Sequence, residues 1–336
     1  MTLAKEEFGT LPDGRDVDIY TLAGTSGVTA RIMNYGGRIV SLRTPDRDGA
    51  LAEIGMGFEN LSGYVDYRHY CGALVGRVGN RTRDGRFTLD GVQYQLPVNE
   101  KGVHLHGGKF GFSFKLWDAR EENGRLRLDY FSPDGEEGYP GNLKTTVWYG
   151  LDGSDLSIEY IAETDAPTIV NLTNHQFFNL NGFKRDILAH ELRLAADRYN
   201  CVDALGVATG EMPPVGGTPY DFNQMKAIGQ DIGKTPAGYD NNMVFSQPHN
   251  HGDWVAEVRD PDSGRTMTMA TDQPCVQLYT GGSLIGIDGV VYKRQYAFCL
   301  EAQKHPDAAN NPEFASVTLR PGEQYRQKTV YRFGVE

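Results

Sequence analysis

The sequence predicts an all-β fold of packed antiparallel sheets with a few short helices. Three observations carry this. Glycine supplies 41 of the 336 residues, about 12% against a usual ~7%. Asp-Gly recurs seven times, beginning at Asp13, Asp48, Asp84, Asp90, Asp134, Asp152 and Asp288, and gives tight hairpin turns the positive φ angles they need. Long apolar runs with a period of 3.6 residues are absent, whereas strict alternation recurs.

Several segments then read as strands in chain order. Phe87 and Leu89 precede Asp90-Gly91, and Val92, Tyr94 and Leu96 follow it, which makes a hairpin. Leu126, Leu128 and Tyr130 alternate, as do Leu156, Ile158 and Tyr160. Residues 254–259 and 266–271 flank Asp260-Pro-Asp-Ser-Gly264, a second hairpin. Residues 296–303 are apolar and β-prone, so Ala297, Cys299, Glu301 and Gln303 share one strand face. Tyr325, Gln327, Thr329, Tyr331 and Phe333 alternate near the end. Residues 61–70 and 225–232 are compatible with short helices. No low-complexity linker or internal repeat divides the chain, so residues 1–336 are expected to form one domain.

A formal net charge of -11 disfavours sequence-independent binding to nucleic acid or anionic lipid. No apolar run approaches the ~18 residues of a membrane span, and the first residues lack a basic-then-apolar signal. The cytoplasm is the expected location. Cys71, Cys201, Cys275 and Cys299 form no C-x-x-C pair and are expected to be buried free thiols.

Four stretches carry candidate chemistry. Glu301 sits among small residues on its strand face, with room for something to approach; an exposed, solvated Glu fits the same pattern. Val75-Gly-Arg-Val-Gly-Asn-Arg81 has no helix or strand period. Its Asn80-Arg81 pair offers an amide and a planar guanidinium fork to hydroxyl oxygens, or forms a plain surface turn. Gly102-Val-His-Leu-His-Gly-Gly108 places His104 and His106 on one face if it is a strand. That spacing would also suit a metal, but no third ligand with fitting spacing is evident, so no metal is expected. Thr168-Ile-Val-Asn-Leu-Thr-Asn-His-Gln-Phe-Phe-Asn-Leu-Asn-Gly182 sets His175 beside Phe177 and Phe178. Such a group can pack the apolar face of a sugar ring while polar groups read its hydroxyls; a His at the polar edge of a core reads the same.

These stretches together resemble the aldose 1-epimerases, also called galactose mutarotases. Glu301-Ala-Gln-Lys-His-Pro-Asp-Ala-Ala-Asn-Asn-Pro-Glu-Phe314 is similar to the family's C-terminal signature. Gly76-Arg-Val-Gly-Asn-Arg81, Leu105-His-Gly-Gly108 and Asn171-Leu-Thr-Asn-His175 resemble further family motifs. So do Thr218-Pro-Tyr-Asp-Phe222, Gly238-Tyr-Asp-Asn-Asn242 and Gln277-Leu-Tyr-Thr280. The seven matches run in family order from residue 75 to 316, and Asn34-Tyr-Gly-Gly37 and residues 132–143 extend them. Gly79 stands where the family usually has Ala, and Asn241 where it has His. Gln176 and Phe177 replace a hydroxyl residue and Tyr, so hydroxyls near the site are expected to be lost.

The resemblance implies a very large antiparallel β-sandwich, a supersandwich whose concave face holds a sugar. It implies anomer interconversion of a free hexose such as galactose or glucose, with Glu301 as base and His175 as acid. It assigns Asn80, Arg81, His106, Asp240 and Gln277 to substrate binding, with Phe177 beneath the ring. No cofactor is implied, because ring opening and closure restore both catalysts. The expected partner is a monosaccharide, with no nucleic acid or membrane, and the protein is expected to be a monomer or homodimer. Three rival readings stand beside it: a glycoside hydrolase using Glu301 and Asp240, a non-catalytic sugar-binding protein, which is expected to lack His175 or Glu301, and a hexose 6-phosphate epimerase using Arg77 and Arg81.

Overall fold

The computed structural model describes residues 2–67, 70–246, 253–282, 284 and 293–336. Its frame is three antiparallel sheets. A five-stranded meander runs in chain order through Thr2–Thr10, Asp16–Ala23, Thr29–Met33, Arg38–Pro45 and Leu51–Glu53. A nine-stranded sheet has the order Asp118–Glu122, Arg125–Ser132, Leu143–Asp152, Asp155–Thr164, Tyr325–Val335, Arg265–Thr271, Trp254–Arg259, Glu191–Leu194 and Lys226–Ala227. A second five-stranded sheet runs Phe177–Phe178, Phe298–Gln303, Cys275–Tyr279, Asp240–Val244 and Arg198–Tyr199. This is the expected large antiparallel sandwich.

The core follows from alternation. One face of the nine-stranded sheet supplies Leu126, Leu128, Val147, Tyr149, Ile158, Met267, Met269 and Phe333. Leu22, Ile32 and Leu42 of the meander and Val276, Leu278, Phe298 and Leu300 of the second five-stranded sheet pack into the same cluster. Each of these side chains removes apolar surface from water at ~25 cal/mol per Å². The nine-stranded sheet therefore backs both smaller ones. Since Phe298, Leu300 and Ala302 point toward it, Cys299, Glu301 and Gln303 must point the other way.

Hairpins close at Asp13-Gly14, Asp48-Gly49, Asp90-Gly91, Asp152-Gly153 and residues 260–264, between strands that pair directly. Asp134-Gly135 lies in a longer connection between paired strands. Asp84-Gly85 turns without making a hairpin, because Arg81–Arg83 pairs with Val103–Leu105 instead of with its sequence neighbour. Asp288-Gly289 lies outside the described residues. Of the two expected helices, the first is Leu61–Asp66, burying Leu61 and Tyr64; residues 68 and 69 of that stretch lie outside the described residues. The second is not an α-helix. Lys226–Ala227 pairs as an edge strand, and the 3-10 turns Ile228–Gln230 and Ile232–Lys234 follow. Gly229 interrupts that stretch and Gly233 follows it directly, and glycine weakens a helix interior. All four cysteines are free, but Cys201 is half-buried, unlike the other three.

Candidate active site

Strand register assembles most of the site. Gln277 pairs with Glu301, Tyr279 with both Cys299 and Asp240, and Phe177 with Cys299. Directly opposed residues share a face, so one face of the second five-stranded sheet carries Phe177, Glu301, Gln277, Tyr279 and Asp240. Two further segments close over that face. Arg81–Arg83 pairs with Val103–Leu105, and Leu74–Val75 pairs with Thr173–Asn174. Residues 75–81, which show no strand period in sequence, and residues 102–108 thus both contain short strands, which fix Arg81 and His106 more firmly than free loops would.

Between these elements lies a cavity of about 270 Å³, lined by Asn80, Arg81, His106, His175, Phe177, Asp240, Gln277 and Glu301 together with Tyr70, Glu100, Leu105, Tyr279 and Leu284. The volume is that of a single small ligand, near the lower end of the ~300–1,000 Å³ usual for such pockets. All eight residues singled out from sequence line it. Tyr279 was legible too, since it lies two residues beyond Gln277 on the same strand face. Tyr70, Glu100 and Leu284 have no comparable local signal.

Local geometry explains the motif residues. Asn80 takes a positive φ of 61°, which Asn tolerates better than most residues. Its backbone N–H donates to His106 Nδ1 at 3.2 Å, and its carbonyl accepts from the His106 N–H at 3.0 Å. A Cβ on Gly107 would lie 1.7 Å from the Gly76 carbonyl oxygen. The glycine after His106 is what lets the two segments meet. Gly206, with φ +77°, lets another loop lie against the Arg81 guanidinium; a Cβ there would sit 3.0 Å from Arg81 Cζ. That loop is held by Asp203, which accepts from the Leu205 and Val207 N–H groups and pairs with Arg83 at 2.8 Å.

His175 and Glu301 are both buried, with Nε2 and Oε1 3.7 Å apart. Tyr70, Phe177 and Tyr279 surround the imidazole, with ring centroids 5.9, 4.8 and 6.2 Å away. Burial raises the Glu301 pKa well above the ordinary carboxylate value; the Asp240 charge adds to this and Arg81 opposes it. Burial, then the His175 and Arg81 charges, hold His106 neutral by lowering its pKa. Asp240 keeps solvent access at the cavity mouth but has protein around it otherwise. Desolvation raises its pKa, against Arg81 and a 2.7 Å hydrogen bond from Gln277 Nε2. Glu301 Oε2, Gln277 Oε1 and Arg81 Nε are buried without a hydrogen-bond partner among the described residues. Such groups are costly unless a polar ligand meets them.

Four expectations need correction. His104 and His106 do not share a face: the strand ends at Leu105, and His106 turns away with a positive φ of 51°. His104 is instead held between the Pro97 carbonyl and the Tyr139 hydroxyl, at 2.8 and 2.7 Å. Arg77 does not reach the cavity but is buried, bonded to Ser132, Pro133, Pro140, Gly141 and Thr168. The change to Gln176 removes no hydroxyl from the cavity, because Gln176 points away from it, against Gly55 and Gly72. Finally, folding does supply a third partner for His106: ligand-type atoms of His106, His175 and Glu301 lie within 4.8 Å of one another. The hydrogen bond from Asn80 to His106 Nδ1 assigns the proton of neutral His106 to Nε2. A metal ligand would need that nitrogen bare, so His106 is better suited to donating a hydrogen bond.

The comparisons with known proteins agree over almost the whole chain. The model of the aldose 1-epimerase family matches residues 18–332. A galactose mutarotase of Rattus norvegicus is 40% identical over 341 residues, covering 100% of this chain and 99% of the relative. An aldose 1-epimerase of Escherichia coli (strain K12) is 34% identical, covering 97% of each. The crystal structure of a GalM/aldose epimerase homologue from C. elegans superposes with a TM-score of 0.89 at 27% identity, covering 94% of this chain and 98% of that one. Motif order, sheet architecture and these matches converge: the chain belongs to the aldose 1-epimerase family.

Proposed function

We propose that the protein interconverts the α and β anomers of a free aldohexose such as galactose or glucose, with Glu301 as base and His175 as acid. The observation that carries this reading is the buried carboxylate–imidazole pair facing a cavity of hexose scale. Ring opening needs two proton movements at one carbon. Glu301 takes the proton of the anomeric hydroxyl while His175 gives one to the ring oxygen, and the C1–ring-oxygen bond breaks. The aldehyde rotates about C1–C2 and presents its other face. The new hydroxyl returns its proton to His175 as it attacks C1, and Glu301 protonates the carbonyl oxygen. Both catalysts end as they began.

The raised pKa of Glu301 makes it a stronger base once ionised, which suits its role. Neutral His106, Arg81, Asn80, Gln277 and Asp240 read the hydroxyls, and Phe177 and Tyr279 offer apolar surface to the ring. Among the described residues, three cavity carboxylates, Glu100, Asp240 and Glu301, face one guanidinium, Arg81. That balance favours a neutral sugar over a hexose 6-phosphate, and Arg77 is unavailable to a phosphate. The chain acts as one domain, supported by a nine-stranded sheet that draws on residues from 118 to 335. A cytoplasmic setting is supported by the four free thiols.

The test is polarimetry or proton NMR of anomeric exchange over a panel of freshly dissolved α-anomers, run beside a nitrophenyl glycoside. Accelerated exchange of a free hexose with no release of nitrophenol is expected. Nitrophenol release without accelerated exchange would support the hydrolase instead.

A further inference from the structure

We propose that Cys299 is a positioning residue that fixes which nitrogen of His175 carries the proton. The inference rests on the role given to His175 above. Cys299 Sγ lies 3.5 Å from His175 Nδ1, within hydrogen-bonding reach for sulfur, and both groups are buried. The other nitrogen, Nε2, faces Glu301. The two ring nitrogens thus have different jobs, and the partner of one decides the state of the other.

The arrangement is built into the sheet. Cys299 is two residues from Glu301 on the same strand, and it pairs across with both Phe177 and Tyr279, whose rings flank His175. The His175 backbone is fixed as well: its N–H donates to the Ala73 carbonyl at 2.9 Å and its carbonyl accepts from Gly72 at 3.0 Å. Only rotation of the ring and placement of its proton remain to be set.

Burial first, then the nearby carboxylates of Glu301 and Asp240, keep Cys299 a neutral thiol. A thiol can donate through S–H and accept through sulfur. When His175 is neutral, S–H donates to Nδ1 and leaves the proton on Nε2. When His175 is an imidazolium, Nδ1–H donates to sulfur. In both states Nε2 presents a proton to the cavity. Among the described residues, the titratable and charged groups facing the ring are Glu301 and Cys299 from the strand Phe298–Gln303, Tyr279 from the neighbouring strand, His106, and Tyr70. Arg81 and Asp240 stand beyond them and act on Glu301. Cys299 lies against Nδ1.

Three variants separate the hydrogen bond from the packing. Cys299→Ala removes both, Cys299→Val keeps bulk without a hydrogen bond, and Cys299→Ser keeps a hydroxyl donor and acceptor. We expect Ala and Val to lower kcat roughly five- to tenfold, the scale of one lost hydrogen bond, with KM little changed. The parent rate should fall on the alkaline side as His175 loses its proton, and in Ala and Val this alkaline limb should move to lower pH, because the imidazolium loses a charge-assisted partner. Ser should recover much of the rate and the limb. Nitrogen-15 NMR of histidine-labelled protein, with the His175 signals identified by their loss in His175→Asn, should show the Nε2–H tautomer in the parent and Ser variant. Ala and Val should show a mixture with Nδ1–H. Recovery by Val but not Ser, or the same tautomer in all variants, overturns the inference.

The NMR readout needs no turnover, so the two failures separate. Unchanged tautomers remove the part given to Cys299 and leave His175 as the acid. Parental rates in His175→Asn remove the acid and leave the tautomer result standing.

Discussion

Arg77 and Arg81 lie four residues apart in one motif and have opposite fates. Arg77 is 2% exposed, and each of its guanidinium nitrogens has an acceptor: Ser132, Pro133, Pro140, Gly141 and Thr168 all take hydrogen bonds. Burial lowers its pKa to about 10. Arg81 is half-buried on the cavity wall, and its Nε has no partner among the described residues. The saturated guanidinium ties loops together; the unsaturated one lines the cavity with a donor unmet among the described residues. Glu301 Oε2 and Gln277 Oε1 belong with Arg81. For these residues the unmet hydrogen-bonding capacity lies at the cavity, whereas that of Arg77 is spent within the scaffold.

The contrast is open to measurement. The largest expected effect is on the cavity side. Glu301→Gln and His175→Asn should each lower turnover about 10²–10⁴-fold, the usual scale for a lost acid or base, while sugar titration still shows binding. Near-parental exchange in either variant would remove that residue from the reaction. On the scaffold side, Arg77→Met should cost at least ~3 kcal/mol in denaturant unfolding, since several buried carbonyls lose their donor at once. Its activity per folded molecule should stay near parental; a folded but inactive Arg77→Met would collapse the distinction.

Arg81→Ala and His106→Ala should lower kcat/KM by roughly 10²-fold, with unfolding within about 1 kcal/mol of the parent. A large stability loss in both would make them scaffold as well. A smaller effect links the cavity to stability. The folded-state pKa of Glu301 is raised above its unfolded value. Between those two values the native state binds more protons than the unfolded state, so stability falls as pH rises through the window. Glu301→Gln should therefore melt about 2 °C or more above the parent near pH 7.5, and the gap should shrink as pH drops toward 4.5. A lower melting temperature for the variant at both pH values would refute this. The smallest expected effect is none: activity should be unchanged in excess chelator, given the proton assigned to His106 Nε2. Loss restored by a divalent metal would show that the cluster of His106, His175 and Glu301 binds one.

What was legible in the sequence was what is local. Asp90-Gly91, Asp152-Gly153 and residues 260–264 announce hairpins because a two- to five-residue turn carries its own chemistry. Glu301 was legible through strand alternation and the motif around it. The order of the nine-stranded sheet was not, since pairing between residues 155–162 and 325–332 leaves no mark on either segment. The same limit explains the site errors. His104 and His106 look equivalent until a positive φ separates them. Arg77 and Arg81 look alike until the partners of Arg77, 55 to 91 residues away, are known. Tyr70 resembles any core aromatic, and only the folded chain sets it against His106 and His175.

The strand Tyr325–Val335 also bears on how the protein is made. It follows every other described strand in sequence yet sits inside the largest sheet, between Asp155–Thr164 and Arg265–Thr271. Arg332 meets Asp155 across 177 residues of chain. Until it docks, both flanking strands present open edges, the exposure that invites wrong pairing during synthesis. Closing so long a loop is also a slow kind of step. The same strand braces the site strand, through Tyr331 Oη to the Leu300 carbonyl and Gln327 Nε2 to the Ala302 carbonyl. Glu301 lies between those two anchors, so the return of anomeric exchange during refolding should report the moment this strand docks.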